Sequence, residues 1–465
     1  MKTHGIKLLA FILLSFNFSF AQNFNIGEQS GGEVKLNKNN TPCLNETQRA
    51  EILSILKENV KQLEQQGKLM PMNKAGGHPL FIWPVAQADG FDFESNWAIK
   101  SHVDHDPAFP DQYEDYNCGT RTYDTADGNH QGLDIIPWPF YWKQMDDDQA
   151  EIIAGDAGQI IGKFDGNFDR NCEFNSEPWN AVYVQHNDGS VAWYGHMKSG
   201  SLTTKDIGDS VAQGEYLGII GSSGSSLLPH LHFEVYDDAN QLVDPYFGDC
   251  NTMNPDTWWL EQRPYIDPFI NEISTHSALP VTSDCPEGEE TNFQNIFYEG
   301  DTPFWVVFAS NIPSGTNIDL TWRTPDNAIY TTYTLEYTGS WLYVTSWVQG
   351  EITSDFPVGT WTFEASLNGQ TVIHPWEVGL LGVEDNNLAQ TTVYPNPLQN
   401  TLFIDSEATI VSAGIRDILG RSVSDIRDTT RSIHEIDVAF LSKGMYFITL
   451  VSDENQSKTI KLIKE

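Results

Sequence analysis

Most of the chain alternates apolar and polar positions with the period of two that predicts β-strands. Between residues 78 and 265, short β-branched and aromatic runs such as AVYVQ and LHFEVYD alternate with turns rich in glycine, aspartate and asparagine. The segment 266–380 repeats the pattern in FWVVFAS, NIDLTWRT and TWTFEASLNG. We therefore predict a mainly β protein with an antiparallel β-sheet domain at 78–265 and a small β-sandwich at 266–380.

One short stretch within residues 22–77 has helical periodicity instead. It begins after a polar segment, residues 22–40, that we expect to be extended or loose. Asn45 is placed to cap the helix, with Gln48 three residues on as in a capping box, and Gly67 is placed to end it. One apolar stripe follows the predicted helix, formed by Ile52, Leu53, Leu56, Val60 and Leu63. The stripe favours a packing helix; a pro-segment that shields a site is the alternative.

The two ends of the chain predict export. Lys2 and Lys7 flank the start of the apolar run LLAFILLSFNFSFA at 8–21, which has the form of a signal peptide at 1–21, cleaved before Gln22. It is too short for a membrane span, and no later stretch reaches the ~20 apolar residues required. The C-terminal part, after a linker at 381–392, reads as a second small sandwich at 393–465.

The net charge of the chain bears on which classes of binding partner are compatible with it. The 465 residues carry a formal net charge of −38, with a pI near 4.4. This balance argues against nucleic acid, whose phosphates require basic partners, and against anionic membrane surfaces. The sequence therefore predicts a soluble exported protein without stable membrane insertion.

The five cysteines do not form a metal-binding pattern, since none has CxxC spacing. In an oxidising compartment, pairing is the default, and an odd number leaves one cysteine over. Proximity along the chain favours the disulfides Cys118–Cys172 and Cys250–Cys285, which leaves Cys43 free.

Candidate chemistry is concentrated in three motifs of the 78–265 domain: HQGLD at 130–134, YGHM at 194–197 and HLHFE at 230–234. His230 and His232 share one face of a strand, because residues two apart point the same way. A catalytic zinc ion takes three protein ligands and keeps a fourth position open. His130, Asp134 and one later histidine would supply that set, and the remaining histidines suit acid, base or oxyanion-donor roles. We expect Gly132 to allow a tight turn or the approach of a substrate.

Other histidines have simpler interpretations. His186 lies at a hairpin end, and we interpret it as a turn residue. His102 and His105 in SHVDHDP could form a metal cluster, but a solvated loop is favoured. His276 and His374 lie in the 266–380 segment, where no cluster of candidate ligands accompanies them.

The three motifs, together with GSSGSSLLPHLHFEV at 221–235, resemble those of the lysostaphin-type zinc metallopeptidases, over roughly residues 80–250. The resemblance implies that His130, Asp134 and His232 bind Zn²⁺ and that His196 and His230 are catalytic histidines that do not. It also implies cleavage of peptidoglycan cross-links and stem peptides or of glycine-rich peptides. The family usually has a Thr-Gly pair at the positions of Leu227 and Leu228. We therefore expect the wall of the substrate groove to differ in shape from that of the family.

The C-terminal segments VYPNP, DILGR at 417–421 and LSKGMYFITL at 441–450 resemble the sorting domain of the type IX secretion system. This resemblance implies an interaction with that machinery, export to the medium or the cell surface, and removal of the tail.

Three functional hypotheses stay open. The first is a secreted zinc endopeptidase that cleaves peptidoglycan or extracellular glycine-rich proteins. The second is a non-catalytic wall-binding or activator module, although such modules typically lack ligands that are all present here. The third is an adhesin that binds through the 266–380 sandwich.

Overall fold

The computed structural model describes residues 25–31, 43–73, 77–283, 285–379, 388, 391–417, 421–427, 432–453 and 456–464. The predicted signal peptide lies outside these residues, as does most of the predicted linker 381–392. The mainly β prediction is confirmed, with two α-helices beside many short strands. None of the helices in the described part is long and apolar enough to cross a membrane.

The N-terminal and central elements run from residue 25 to residue 243. In chain order they are β1 (Asn25–Gly31), α1 (Glu46–Gln65), β2 (Val85–Gln87), β3 (Trp97–Ser101), β4 (Asp124–Thr125), β5 (Gly128–Asn129), β6 (Leu133–Pro137), α2 (Tyr141–Asp146), β7 (Ala150–Ile153), β8 (Gly158–Phe164), β9 (Ala181–Gln185), β10 (Val191–Gly195), β11 (Ser210–Val211), β12 (Tyr216–Ile219), β13 (Leu231–Tyr236) and β14 (Leu242–Val243).

The central sheet is antiparallel and has the strand order β11-β8-β9-β10-β13-β6-β3, with β14 beside β13. Every residue of β6, β9, β10 and β13 is buried, because both faces of the sheet are covered. Alternate residues still separate by face. One face packs into a core that includes Leu231, Phe233 and Val235. The opposite face packs on α1, and Tyr236 belongs to it.

Helix α1 follows its sequence signals closely. The Asn45 side chain accepts a hydrogen bond from the Gln48 backbone N–H at 2.9 Å, and the Gln48 side chain accepts one from the Asn45 N–H at 3.1 Å. The predicted capping box is therefore confirmed. The residues of the predicted stripe pack against the sheet through a cluster that contains Trp179, Tyr183 and Trp193. Burying each large apolar side chain is worth about 1.5–3 kcal/mol, which holds α1 on this face.

The sandwich elements follow after a long loop. They are β15 (Phe269–His276), β16 (Ile296–Phe297), β17 (Phe304–Ile312), β18 (Asn317–Arg323), β19 (Ile329–Glu336), β20 (Trp341–Gln349), β21 (Gly359–Leu367) and β22 (Gln370–Val378). One sheet has the order β1-β20-β17-β15, and the other has the order β16-β22-β21-β18-β19. The N-terminal strand β1, in a segment expected to be extended or loose, thus pairs antiparallel with β20, from Asn25 opposite Gln349 to Gly31 opposite Tyr343.

A further core joins the central sheet to the sandwich. Trp138 packs against Phe308 and Tyr343, with ring centroids 6.0 and 4.7 Å apart. Buried Asn271 of β15 donates hydrogen bonds to the backbone carbonyls of Ser95 and Trp97. Residues up to Gly379 accordingly form one compact unit.

A separate unit begins at Leu380. Its strands are β23 (Thr392–Tyr394), β24 (Thr401–Asp405), β25 (Ile410–Asp417), β26 (Ser422–Arg427), β27 (Glu435–Asp437), β28 (Gly444–Ser452) and β29 (Ser457–Lys464). They form sheets of order β23-β24-β27 and β26-β25-β28-β29 around a small apolar core.

The predicted disulfide pairing is wrong. The structure pairs Cys118 with Cys250 and Cys172 with Cys285, across sequence separations of 132 and 113 residues. Proximity along the chain misled the prediction, because the fold brings distant loops together while neighbouring cysteines end up apart. Cys43 is free, as expected, and it is buried.

Candidate metal centre

The centre begins with two facing strands. His232 on β13 is the register partner of Asp134 on β6, and on its other side it pairs with Gly195 at the end of β10. His196 follows directly and has φ +61°, a left-handed conformation that turns the chain at the strand end. The three motifs of the sequence therefore converge because their strands are neighbours in one sheet.

Three atoms with lone pairs that could bind a metal ion lie close together. Asp134 Oδ1 lies 3.1 Å from His130 Nε2 and 2.9 Å from His232 Nδ1, and the two nitrogens are 3.3 Å apart. Ligands ~2.05 Å from a tetrahedral zinc ion are ~3.3 Å from one another. All three residues are at least 96% buried. The spacing and the donor types suit zinc.

Hydrogen bonds on the far side of each ring fix the orientation of the two histidines. His130 donates from Nδ1 to the His102 carbonyl at 2.7 Å, and His232 donates from Nε2 to Glu234 at 3.0 Å. Each neutral ring then directs its remaining lone pair toward the Asp134 carboxylate. Lone pairs this close repel one another unless positive charge lies among them, as a proton or as a metal ion.

The pKa shifts of His232 and Asp134 agree with a site that attracts positive charge. Burial lowers the pKa of His232, but hydrogen bonds to Asp134 and Glu234 raise it well above the ordinary value. Burial raises the pKa of Asp134, whereas the charges of His130 and His230 lower it well below the usual range. A proton on His232 takes the place of a cation, so protons and metal compete for this centre.

Two further histidines border the centre without joining the three-atom set. His196 donates from Nδ1 to the Ser223 carbonyl at 2.6 Å, and His230 donates from Nδ1 to the Leu228 carbonyl at 2.9 Å. Their rings lie 4.3 Å apart. The Nε2 atoms of both rings are buried and have no hydrogen-bond partner in the described part of the chain. Burial and the neighbouring His230 lower the pKa of His196, which therefore favours the neutral ring.

Three residues support His232 directly or through Glu234: Glu234 itself, Tyr236 and Arg49. Of these, only Glu234 belongs to the motif HLHFE. Glu234 accepts hydrogen bonds from Arg49 of α1 and from the Tyr236 hydroxyl. Arg49 also donates to the Tyr236 oxygen at 2.7 Å. Burial raises the pKa of Glu234, but Arg49 and His232 lower it to a net value below the ordinary one. His232, Glu234 and Tyr236 share a strand face, which the period of two could have revealed; Arg49 gave no sequence signal.

Replacing Glu234 with Gln should weaken metal binding about 10–100-fold, the usual cost of losing an outer partner of a metal-binding histidine. The amide cannot accept the His232 proton with the strength of a carboxylate. Metal affinity is measured by competition with a chromophoric chelator. Glu364→Gln, which removes the partner of Arg323 in the sandwich, is the control and should leave affinity unchanged. Unchanged affinity for Glu234→Gln would contradict the outer-shell role.

Several expectations need to be extended or corrected. A Cβ on Gly132 would lie 2.5 Å from His232 Nε2, so this glycine makes room for a histidine ring in addition to the tight turn expected of it. The solvated loop expected for His102 and His105 is wrong. Burial lowers the pKa of His102 to about 3, and the buried side chain of His105 bonds Asp244 at 2.9 Å.

Within the Leu227-Leu228 pair, Leu228 is a core residue. The Leu228 side chain is 3% exposed and packs in the core that contains Trp138. Its carbonyl holds His230. Leu228 thus contributes a backbone acceptor and does not form a groove wall.

Two residues near the histidines were missed as members of the site. Tyr123 stacks on His130 with centroids 4.2 Å apart, and its hydroxyl lies 3.3 Å from Cys43 Sγ. Burial raises the Cys43 pKa, but interactions with His196, His230 and His232 lower it well below the ordinary value. The odd cysteine count was the one signal that could have drawn attention to Cys43.

Comparison with known proteins agrees with both resemblances. Residues 144–245 match peptidase family M23, and residues 392–465 match the secretion system C-terminal sorting domain. The chain therefore carries a lysostaphin-type peptidase domain and a sorting domain. The peptidase match includes His196, His230 and His232; His130 and Asp134 lie before it.

Individual relatives cover parts of the chain. An uncharacterized metalloprotease of Buchnera aphidicola is 36% identical over 66 residues, which are 14% of this chain and 17% of the relative. The chain thus spans about a sixth of that protein. Among solved structures, a putative peptidase M23 from Pseudomonas aeruginosa is 18% identical, with 40% of this chain and 59% of that chain covered, at a TM-score of 0.19. Latent PorU from Porphyromonas gingivalis is 14% identical, with 67% and 34% covered, at a TM-score of 0.18.

Proposed function

We propose that this chain, whose residues 144–245 belong to a peptidase family M23 domain, is a secreted zinc-dependent endopeptidase. One observation carries the proposal. Three lone-pair donors, His130, Asp134 and His232, meet at zinc-ligand spacing in a buried site. Two imidazole nitrogens beside them have no hydrogen-bond partner among the described residues. A structural site would have needed no adjacent acid–base groups.

The chain's own residues then have distinct tasks. Bound zinc would polarise the scissile carbonyl and lower the pKa of a bound water toward ~7. His196 and His230 are fixed through Nδ1 by backbone carbonyls and would present Nε2 to that position. One of them takes the proton of the water, and the other donates a hydrogen bond to the developing oxyanion.

We propose peptidoglycan cross-links and stem peptides, or glycine-rich peptides, as the substrate class. The match of residues 144–245 to peptidase family M23 supports this class. The net charge of −38 disfavours tight adhesion to anionic walls, so extracellular glycine-rich proteins are the second candidate substrate.

Parallel digestion tests these assignments. The zinc-loaded protein, freed of its N-terminal segment where this segment blocks access, is incubated with peptidoglycan, pentaglycine and a glycine-rich protein. Products are identified by mass spectrometry, and 1,10-phenanthroline serves as the metal-removal control. Binding to wall material or to cells without any phenanthroline-sensitive cleavage would instead favour the non-catalytic module or the adhesin.

We expect processing at both ends of the exported protein. The signal peptide directs export, and the sorting domain at 392–465 would engage the type IX secretion machinery. The released form should begin near Gln22 and lack residues after about 390. Intact-mass measurement of protein from culture medium checks this, with the unexported precursor from cells as the reference. A full-length tail on the soluble released form would contradict it.

A further inference from the structure

We propose that the Cys43 thiolate is a fourth ligand of the metal and holds the enzyme latent in the chain that retains its N-terminal segment, residues 43–73. The inference rests on the proposed metal centre. It adds a ligand that none of the three motifs contains.

Cys43 lies beside His232, one of the three proposed metal ligands. Its Sγ atom is within 4.8 Å of the ligand nitrogens of His196, His230 and His232, and its side chain is buried. The other four cysteines form disulfides, so Cys43 is the one thiol of the chain. A free thiol in an exported protein is otherwise exposed to oxidation and disulfide exchange. Burial protects the Cys43 thiol from both reactions.

The surrounding nitrogens point to a ligand in the same place. The Nε2 atoms of His196 and His230 are buried and have no hydrogen-bond partner in the described residues. His232 belongs both to the group around Cys43 and to the group with His130 and Asp134. The two groups adjoin at His232, so a metal held by His130, Asp134 and His232 would lie next to the thiol. Sulfur would then be the fourth donor that closes the site.

The segment that carries Cys43 is fixed on the peptidase domain. Cys43 lies two residues before Asn45, whose capping box defines the start of α1. Six residues beyond Cys43, Arg49 forms an ion pair with Glu234, the outer partner of His232. The apolar stripe of α1 packs on the central sheet. Such a tether supplies the thiol at a high effective concentration, so it competes strongly with water for the open position.

Coordination requires no redox step. The Cys43 thiol would give up its proton to solvent, and its sulfur would bind the metal in the position that a water molecule would otherwise take. Coordination would then block hydrolysis in two ways. The thiolate would exclude the nucleophilic water, and the segment 43–73 would keep substrate away from His196 and His230. Displacement or removal of the segment reverses both effects.

Cobalt substitution tests the ligand directly. The full-length protein loaded with Co²⁺ should show thiolate-to-cobalt charge-transfer absorption in the near ultraviolet. Cys43→Ser should lose that absorption and still bind one cobalt per chain. Ile55→Ala, at a position 42% exposed on α1, is the matched control and should keep the absorption. Cobalt bound by the wild-type chain without this absorption would overturn the inference while leaving the proposed peptidase intact.

Thiol reactivity and hydrolysis give independent readouts. Cys43 should resist an aromatic disulfide reagent in the metal-loaded protein and react much faster after chelation; equal rates would refute the ligand role. Cys43→Ser should hydrolyse peptide at least about tenfold faster than the full-length wild type. Without the thiolate, a larger fraction of the molecules has a metal site open to water and substrate. A wild-type chain that binds no metal at all would overturn the metal centre itself.

Discussion

His130→Ala, Asp134→Ala and His232→Ala should each lose bound zinc and hydrolytic activity together. Each change leaves two of the three donors that now lie 2.9–3.3 Å apart. The loss of affinity should exceed the roughly 10–100-fold cost of losing an outer partner, and activity should fall to background. Zinc per chain is measured by mass spectrometry after dialysis.

The ligand variants are best made in a Cys43→Ser chain, because a thiolate would otherwise retain part of the metal. His374→Ala is the control: this histidine of the sandwich bonds Thr275 at 3.1 Å and should tolerate replacement without loss of zinc. Zinc content at the wild-type level in all three ligand variants would show that the ligand set is wrong.

His196→Ala and His230→Ala should behave in the opposite way, with zinc retained and activity lost. General acid–base help is worth about 10²–10⁴-fold, and an oxyanion donor about 10²–10³-fold. The two losses should not multiply in the double variant, because groups that act as a unit are non-additive. Steady-state hydrolysis, zinc analysis and thermal unfolding are measured on the same samples, again in the Cys43→Ser chain.

A third buried histidine provides a close control. His186 donates from Nδ1 to the Ala157 carbonyl at 2.9 Å, and its Nε2 has no hydrogen-bond partner among the described residues, so its environment resembles that of the two catalytic candidates. His186→Ala should lose similar stability and keep activity. Full hydrolysis by either His196→Ala or His230→Ala would contradict the catalytic role of that histidine. If His230→Ala lost zinc and His232→Ala kept it, His230 would be the metal ligand and His232 the catalytic residue.

The sequence predicted best where local periodicity decides the structure. The period of two placed His232 on a strand, β13, and the capping signal at Asn45 placed the start of α1. The shared strand face predicted for His230 and His232 was not found, because β13 begins at Leu231 and His230 lies one residue before it. The convergence of His130, Asp134 and His232 needed the strand order, which only the family resemblance implied. Local signals cannot encode such long-range pairing.

The sequence predicted worst where distant segments meet. Both disulfides join loops more than a hundred residues apart, and neither followed from spacing. His102 was expected to be solvated, but it is buried, and its carbonyl accepts a hydrogen bond from His130 across 28 residues. Cys43 was identified as free, but its place beside the histidines depends on how α1 packs, which a stripe of apolar residues does not specify.

The core shared by the central sheet and the sandwich affects how this enzyme can be produced for study. A fragment that ends at residue 265 would lose the Cys172–Cys285 bridge and the Asn271 hydrogen bonds to β3 and its preceding loop. It would also leave Trp138 facing water without Phe308 and Tyr343. Exposed apolar surface of this kind promotes aggregation. The shortest recombinant enzyme should therefore extend to residue 379, with the sandwich as part of its folding unit and the sorting tail as the dispensable piece.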